Sequence, residues 1–200
     1  MKAVLAWWRA SPDARPPGYR PGTVVARVLT DLRAVRDSNG GAGATATAVA
    51  ARLPNGVHVN IAERADRQFL MHTVSVQVSA AARGPAGHGH ARIVQTGWLR
   101  RTGIAATPLP GCDPAFVRAV SAIVAQPAVV DALRPLHVTG CAIAACDGRW
   151  TLAVAPFGGS EVVNRMPSFR RYVRLTGEQA AALSAACAAF ETALRAILRG

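Results

Sequence analysis

Apolar positions at three- and four-residue steps open the patterned part of the chain. Val25, Val28, Leu29, Leu32 and Val35 fall on one side of a helix over Thr23–Asp37, and Arg27, Arg33 and Arg36 fall on the other. Ser38-Asn39-Gly40-Gly41 ends it, and the Gly/Ala/Thr-rich residues 38–47 read as a loop. The period then changes to two. Thr47–Leu53 leads into Pro54-Asn55-Gly56, a tight-turn signal, after which Val57, Val59 and Ile61 alternate with His58 and Asn60. Gln68–Ala80 predicts a long strand with Leu70, Val74, Val76 and Val78 on one face beside His72. Arg83-Gly84-Pro85-Ala86-Gly87 turns the chain, and His90–Thr96 and Trp98–Thr107 predict a pair about Gly97.

The second half repeats the alternation of strands and helices without a repeated sequence. Asp113-Pro114 supplies a capping side chain and a first-turn proline to a helix striped by Phe116, Val120, Ile123 and Val124. Pro127 breaks it, and Ala128–Arg134 predicts one or two further turns. His137–Cys146 and Arg149–Ala155 predict a hairpin about Asp147-Gly148. Phe157-Gly158-Gly159-Ser160 reads as a loop and Phe169–Leu175 as a final strand. Thr176 and Gln179 stand in capping-box spacing ahead of a long helix reaching about Arg199, with Leu183, Cys187, Phe190, Leu194 and Ile197 in one stripe. Strands joined by tight turns argue for antiparallel pairing. The expected fold is α+β: an antiparallel sheet with helices packed on one face and a long C-terminal helix. Residues 1–22 are expected to form a flexible arm and linker, because three prolines and two glycines follow Asp13; residues 23–200 form the domain.

Composition adds charge to this picture. Half of the residues are hydrophobic, enough for a core without staples. The formal net charge is +12, with 23 basic residues against 11 acidic ones, and Lys2 is the only lysine. A GC-rich coding bias accounts for arginine over lysine but not for the scarcity of acids. Such a chain attracts polyanions by electrostatics alone, with nucleic acid the obvious partner. Cys112, Cys141, Cys146 and Cys187 lie among small and apolar neighbours without metal-knuckle spacing, so free thiols in a reducing, cytoplasmic compartment are expected. Ala3–Trp8 is too short for a signal-peptide core, and no apolar run suggests a transmembrane segment. Trp7 and Trp8 are candidates for packing back on the domain or for meeting a partner.

Candidate chemistry gathers in Gly158–Leu175. Read as a strand, its end places Phe169, Val173 and Leu175 on one face and Arg170, Tyr172 and Arg174 on the other, with Arg165 and Arg171 close by. Guanidinium groups with an interleaved aromatic suit phosphate contact and stacking. A solvated face in an arginine-rich protein explains the same pattern. Ser160, Glu161, Asn164 and Arg165 follow a Gly-Gly hinge and could hold a ligand or serve acid–base work; a Glu161–arginine ion pair that braces the loop is the simpler account. His88-Gly89-His90 could begin a zinc site, but nothing fixes further ligands, so neither a metal nor a cofactor is expected. His72 and His137 have the look of histidines bonded within the core. No nucleophile elbow, redox Cys-x-x-Cys, phosphate loop or dinucleotide fingerprint occurs, which removes the main reason to expect an enzyme.

Gly158–Leu175, together with Gly18-Tyr19-Arg20-Pro21-Gly22 and Phe69-Leu70-Met71-His72, resembles an uncharacterised bacterial family defined only as a domain of unknown function. The resemblance covers about Gly18 to the C-terminal helix. It implies a small bacterial cytosolic protein and carries no activity or catalytic residue. Four readings follow. The first is a binding module for an anionic partner, resting on Arg165, Arg170, Arg171, Tyr172 and Arg174. The second is a small-ligand pocket between the sheet and the C-terminal helix. The third is an enzyme using Glu161, Asn164 and Arg165, with His72. The fourth is a protein-interaction role for the Trp7–Trp8 arm.

Overall fold

The computed structural model describes residues 18–37, 47–67, 70–96 and 103–199. Most of the arm expected over residues 1–22, with Trp7 and Trp8, most of the loop expected over residues 38–47 and the turn expected about Gly97 lie outside the described residues. Among those described, the order is α1 (Thr23–Leu32), β1 (Val35–Arg36), β2 (Ala48–Arg52), β3 (His58–Arg67), β4 (Met71–Arg83), β5 (Gly89–Thr96), β6 (Gly103–Pro108), α2 (Pro114–Val124), α3 (Pro127–Leu133), β7 (Val138–Cys146), β8 (Arg149–Pro156), β9 (Ser160–Arg165), β10 (Ser168–Val173) and α4 (Gly177–Ile197).

All ten strands join one sheet, and every pairing is antiparallel. The main order is β1-β2-β3-β4-β8-β7-β5-β6. The thirteen residues of β4 are long enough to serve two neighbours on one edge. Val78–Arg83 pair with β8, Met71–Val74 pair with β9, and β10 extends the sheet beyond β9. Between β8 and β9 the chain sidesteps at Gly158-Gly159. Gly159 has φ 82°, and a Cβ there would meet Val28 Cγ2 at 2.9 Å, so only glycine lets the sheet and α1 approach this closely.

The helices pack on one face, as the alternation predicts. That face carries Val59 and Ile61 of β3, Val74, Val76, Val78 and Ala80 of β4, Ile143 of β7, and Trp150, Leu152 and Val154 of β8. Against it stand Val24, Val25 and Val28 of α1, Phe116, Val120 and Ile123 of α2, and Leu183, Phe190 and Leu194 of α4. Phe116 stacks on Trp150 with ring centroids 5.2 Å apart. Each Leu or Phe removed from water here contributes roughly 1.5–3 kcal/mol. Asp113 caps α2 by accepting from Phe116 N, and Thr176 and Gln179 form the reciprocal capping box of α4. The two-residue turn Asp147-Gly148 takes positive φ at both positions, as a tight hairpin requires.

Three expectations change. The first helix ends at Leu32, not Asp37. Arg33 turns left-handed (φ 51°) and Val35 and Arg36 pair with β2, because bonding to the sheet edge replaces helical bonds that no core contact supports; Val35 is 62% exposed. Leu70 lies outside β4 and is exposed, while His72 joins the buried face as expected. Ser160–Arg165 is a strand rather than a loop, drawn into the sheet by the free edge of β4 although its own sequence does not alternate cleanly. By length and composition alone α4 would reach across a membrane, and its apolar stripe is packed against the sheet. Pro127 bends α3 away from α2 by 71°.

Candidate functional site

The residues singled out in Gly158–Leu175 divide between two faces. Glu161, Val163 and Arg165 alternate with Val162 and Asn164 along β9, and cross-strand pairing sets Tyr172 opposite Glu161 and Arg170 opposite Val163. Glu161, Arg170 and Tyr172 therefore point toward α1. Glu161 is 3% exposed and accepts from Arg27 Nη1 at 3.1 Å and Arg170 Nη1 at 3.2 Å. Arg170 also donates to the carbonyl of Gly18 at 2.6 Å. Asp31 on α1 accepts from the Tyr172 hydroxyl at 2.9 Å, from Arg174 Nε at 2.8 Å and from the Leu175 amide at 3.1 Å. The Arg27 guanidinium lies 5.2 Å from the Tyr172 ring centroid. One row over, Glu63 of β3 accepts from the Tyr19 hydroxyl and from the amides of Gly22 and Val25, so a carboxylate on the sheet caps the helix that Gly22 cannot cap itself.

This network fastens α1 to the sheet. Arg170, Tyr172 and Arg174 spend their hydrogen bonds on Glu161 and Asp31, and the simpler account of Glu161 as a bracing carboxylate fits the geometry. Asn164 lies on the opposite face; its amide donates to Met166 O and its carbonyl accepts from Arg165 N, so it shapes the β9–β10 turn. Arg165 and Arg171 are exposed. The set Glu161, Asn164 and Arg165 does not converge. His72 is 2% exposed, sits opposite Val163 beside Glu161, and its Nε2 has no partner. Burial, with Arg170 and Arg165 in support and Glu161 opposing, holds it below the ordinary imidazole range.

Alanines let α4 lie close to the sheet: Ala182, Ala186 and Ala193 are buried beside fully buried Leu183, Phe190 and Leu194. His88 is exposed and His90 half-buried, and among the described residues no three His, Cys, Asp or Glu side chains come together as a metal site.

The face of the sheet opposite the helices has a different character. Small residues pave its centre: Ser79 and Ala81 of β4, Ala153 and Ala155 of β8, Ala142 and Ala144 of β7. At one end of this floor Arg83 of β4 stands directly opposite Arg149 of β8, and Cys146 of β7 completes the row. Both arginines are exposed, and neither has an ion pair among the described residues. Like charges facing each other across a ladder oppose strand pairing. Arg149 stands between two hollows. One, of about 670 Å³, runs over His58, Asn60, Ser79 and Thr151 and includes the acids Asp37 and Asp147. The other, of about 700 Å³, runs over Arg83 and Gly84 to Leu198.

A family described as "Protein of unknown function (DUF3156)" matches residues 35–194. The chain belongs to this family. No curated protein and no solved structure matches it. The DUF3156 match runs from β1 into α4, so it takes in Arg83, Arg149, Glu63 and Glu161 but begins after α1 with its Arg27 and Asp31. The Gly18–Gly22 part of the resemblance drawn from sequence lies outside it.

Sequence reasoning passed over Arg83 and Arg149. Each merely flanks a turn signal, Arg83-Gly84 and Gly148-Arg149, and only the pairing of β4 with β8 sets them side by side.

Proposed function

We propose that the protein is a binding module that holds the phosphate backbone of nucleic acid on the face of its sheet opposite the four helices described above. The observation that carries this reading is the facing pair Arg83 and Arg149, exposed, without carboxylate partners among the described residues and costly to the ladder that presents them. A planar guanidinium suits phosphate bidentately, and two of them at neighbouring strand spacing suit successive phosphates. Arg52, paired across β2 and β3 with His58, adds a further exposed guanidinium to this face, while His58 itself is engaged by Asp37 at 3.1 Å. Among the described residues no aromatic side chain lines either hollow beside Arg149. Backbone contact with little preference among sequences is therefore the expected mode for this pair.

The test is fluorescence anisotropy of a labelled oligonucleotide, single- and double-stranded, titrated across salt. Arg83→Ala/Arg149→Ala should weaken binding at least tenfold and reduce the slope of log affinity against log salt by about 2, near one unit per lost contact. Arg118→Ala, on the exposed side of α2, should change neither. Equal binding by the double variant, or loss of all binding below physiological salt, would refute the reading.

A further inference from the structure

Further across the same face, β5 and β7 part company. Their pairing runs only from Gly89 opposite Ala145 to Arg92 opposite Ala142. Beyond that point Ile93–Thr96 pair with β6, and Val138–Cys141 pair with β8. An irregularity between Val138 and Gly140 bends β7, and the Thr139 hydroxyl donates to Ala155 O at 3.1 Å to hold the bend. The strands enclose a cleft of about 510 Å³. Gln95 closes its helix side by donating to the carbonyls of Leu133 at 2.9 Å and Leu136 at 2.7 Å.

The lining pairs apolar walls with two polar side chains, Arg92 and His90, that have no side-chain partner among the described residues. Val94 and Leu109 line the cleft with 39% and 42% of their surface exposed, and Val138 lies across from them. Apolar side chains left open beside a cavity mark a binding surface more than a packing one. Arg92 is exposed and has no ion pair among the described residues. His90, two residues back on the same face, also lines the cleft, and neither of its ring nitrogens has a hydrogen-bond partner among the described residues. A withdrawn imidazole with both nitrogens unpaired is costly unless something completes it.

We propose that this cleft binds a small monoanionic carboxylate with an apolar body. The carboxylate takes a bidentate pair from Arg92 and a hydrogen bond from the His90 ring, and the body lies along Val94, Leu109 and Val138. One guanidinium beside an imidazole matches one negative charge, and among the described residues the lining holds no second guanidinium for a phosphate dianion. Burial and the neighbouring Arg92 hold His90 below the ordinary imidazole range, so it is neutral and free to donate from one nitrogen. The site stands apart from Arg83 and Arg149 and does not depend on what they bind.

Isothermal titration with octanoate and with 1-octanol tests it, because the two probes share an apolar body and differ in the carboxylate. Octanoate should bind saturably and at least tenfold more tightly than 1-octanol. Arg92→Gln, a change at an exposed position whose fold circular dichroism should show intact, should remove that preference. Val94→Ser should weaken both probes, and Arg83→Ala/Arg149→Ala should leave octanoate binding unchanged. The His90 imidazole, followed by nitrogen-15 NMR, should titrate at higher pH with octanoate bound. Absence of saturable octanoate binding, equal affinity for both probes, or unaltered binding by the Arg92→Gln variant would each overturn the proposal.

Discussion

Glu161 on β9 accepts from Arg27 on α1 at 3.1 Å, across 134 positions of sequence. Arg170 approaches the same carboxylate from the neighbouring strand at 3.2 Å. The acid is buried, while its partners keep 45% and 34% of their side chains exposed. Removing the acid leaves two guanidinium groups beside the core with one bond fewer each. Solvent reaches both and softens the loss. Glu161→Ala should cost about 1–3 kcal/mol in urea unfolding, with most of the effect abolished when Arg27 is already Met.

Asp31 and Tyr172 give a second measure of the same attachment. Burial and the Asp31 carboxylate both push the Tyr172 phenol well above its ordinary value of 10.0. The folded state therefore holds this proton longer than the unfolded chain does. Stability from this pair is complete below about pH 10 and is lost as pH rises beyond it. In alkaline absorbance titration one of the two tyrosines should ionise late, and Asp31→Asn should bring it back toward the ordinary range.

Like His90, His72 contributes to the acid limb. Its folded value is depressed below 6.5, chiefly by burial, so the unfolded chain takes up the proton first as pH falls. The stability it supplies is present above about pH 6.5 and declines below it. Thermal unfolding followed from pH 8 to pH 5 should show the fall, and His72→Gln should make the curve shallower. An unchanged slope would mean that His72 is already protonated in the fold.

The four thiols should separate into two classes. Burial pushes Cys141 and Cys187 up to about 12, which leaves almost no thiolate at neutral pH. Cys112 and Cys146 are half-buried. Timed reaction with a thiol reagent at pH 8 should label Cys146 and Cys112 in the folded protein and the other two only in denaturant. Rapid labelling of Cys187 would show that α4 leaves the sheet readily.

Much of the architecture was legible along the chain because its causes are local. Capping residues Asp113, Thr176 and Gln179, the turns at Asn55-Gly56 and Asp147-Gly148, and the stripes of Phe116 and Phe190 act over a few residues and state their own periods. They sufficed for an antiparallel sheet, helices on one face and a long closing helix. Charge and composition likewise belong to the chain alone. Tertiary structure decided what the local signals left free. Ser160–Arg165 became a strand because the length of β4 offered an open edge, and Val35 left its helix because β2 offered another. Arg170, Tyr172 and Arg174 look like a ligand-facing stripe in sequence, yet α1 brings Asp31 and Arg27 down onto them. Arg83 and Arg149 are separated by more than sixty positions and meet only through register. A side chain's partner depends on which strands lie next to each other and in what alignment, and hydrophobic periodicity carries no record of either.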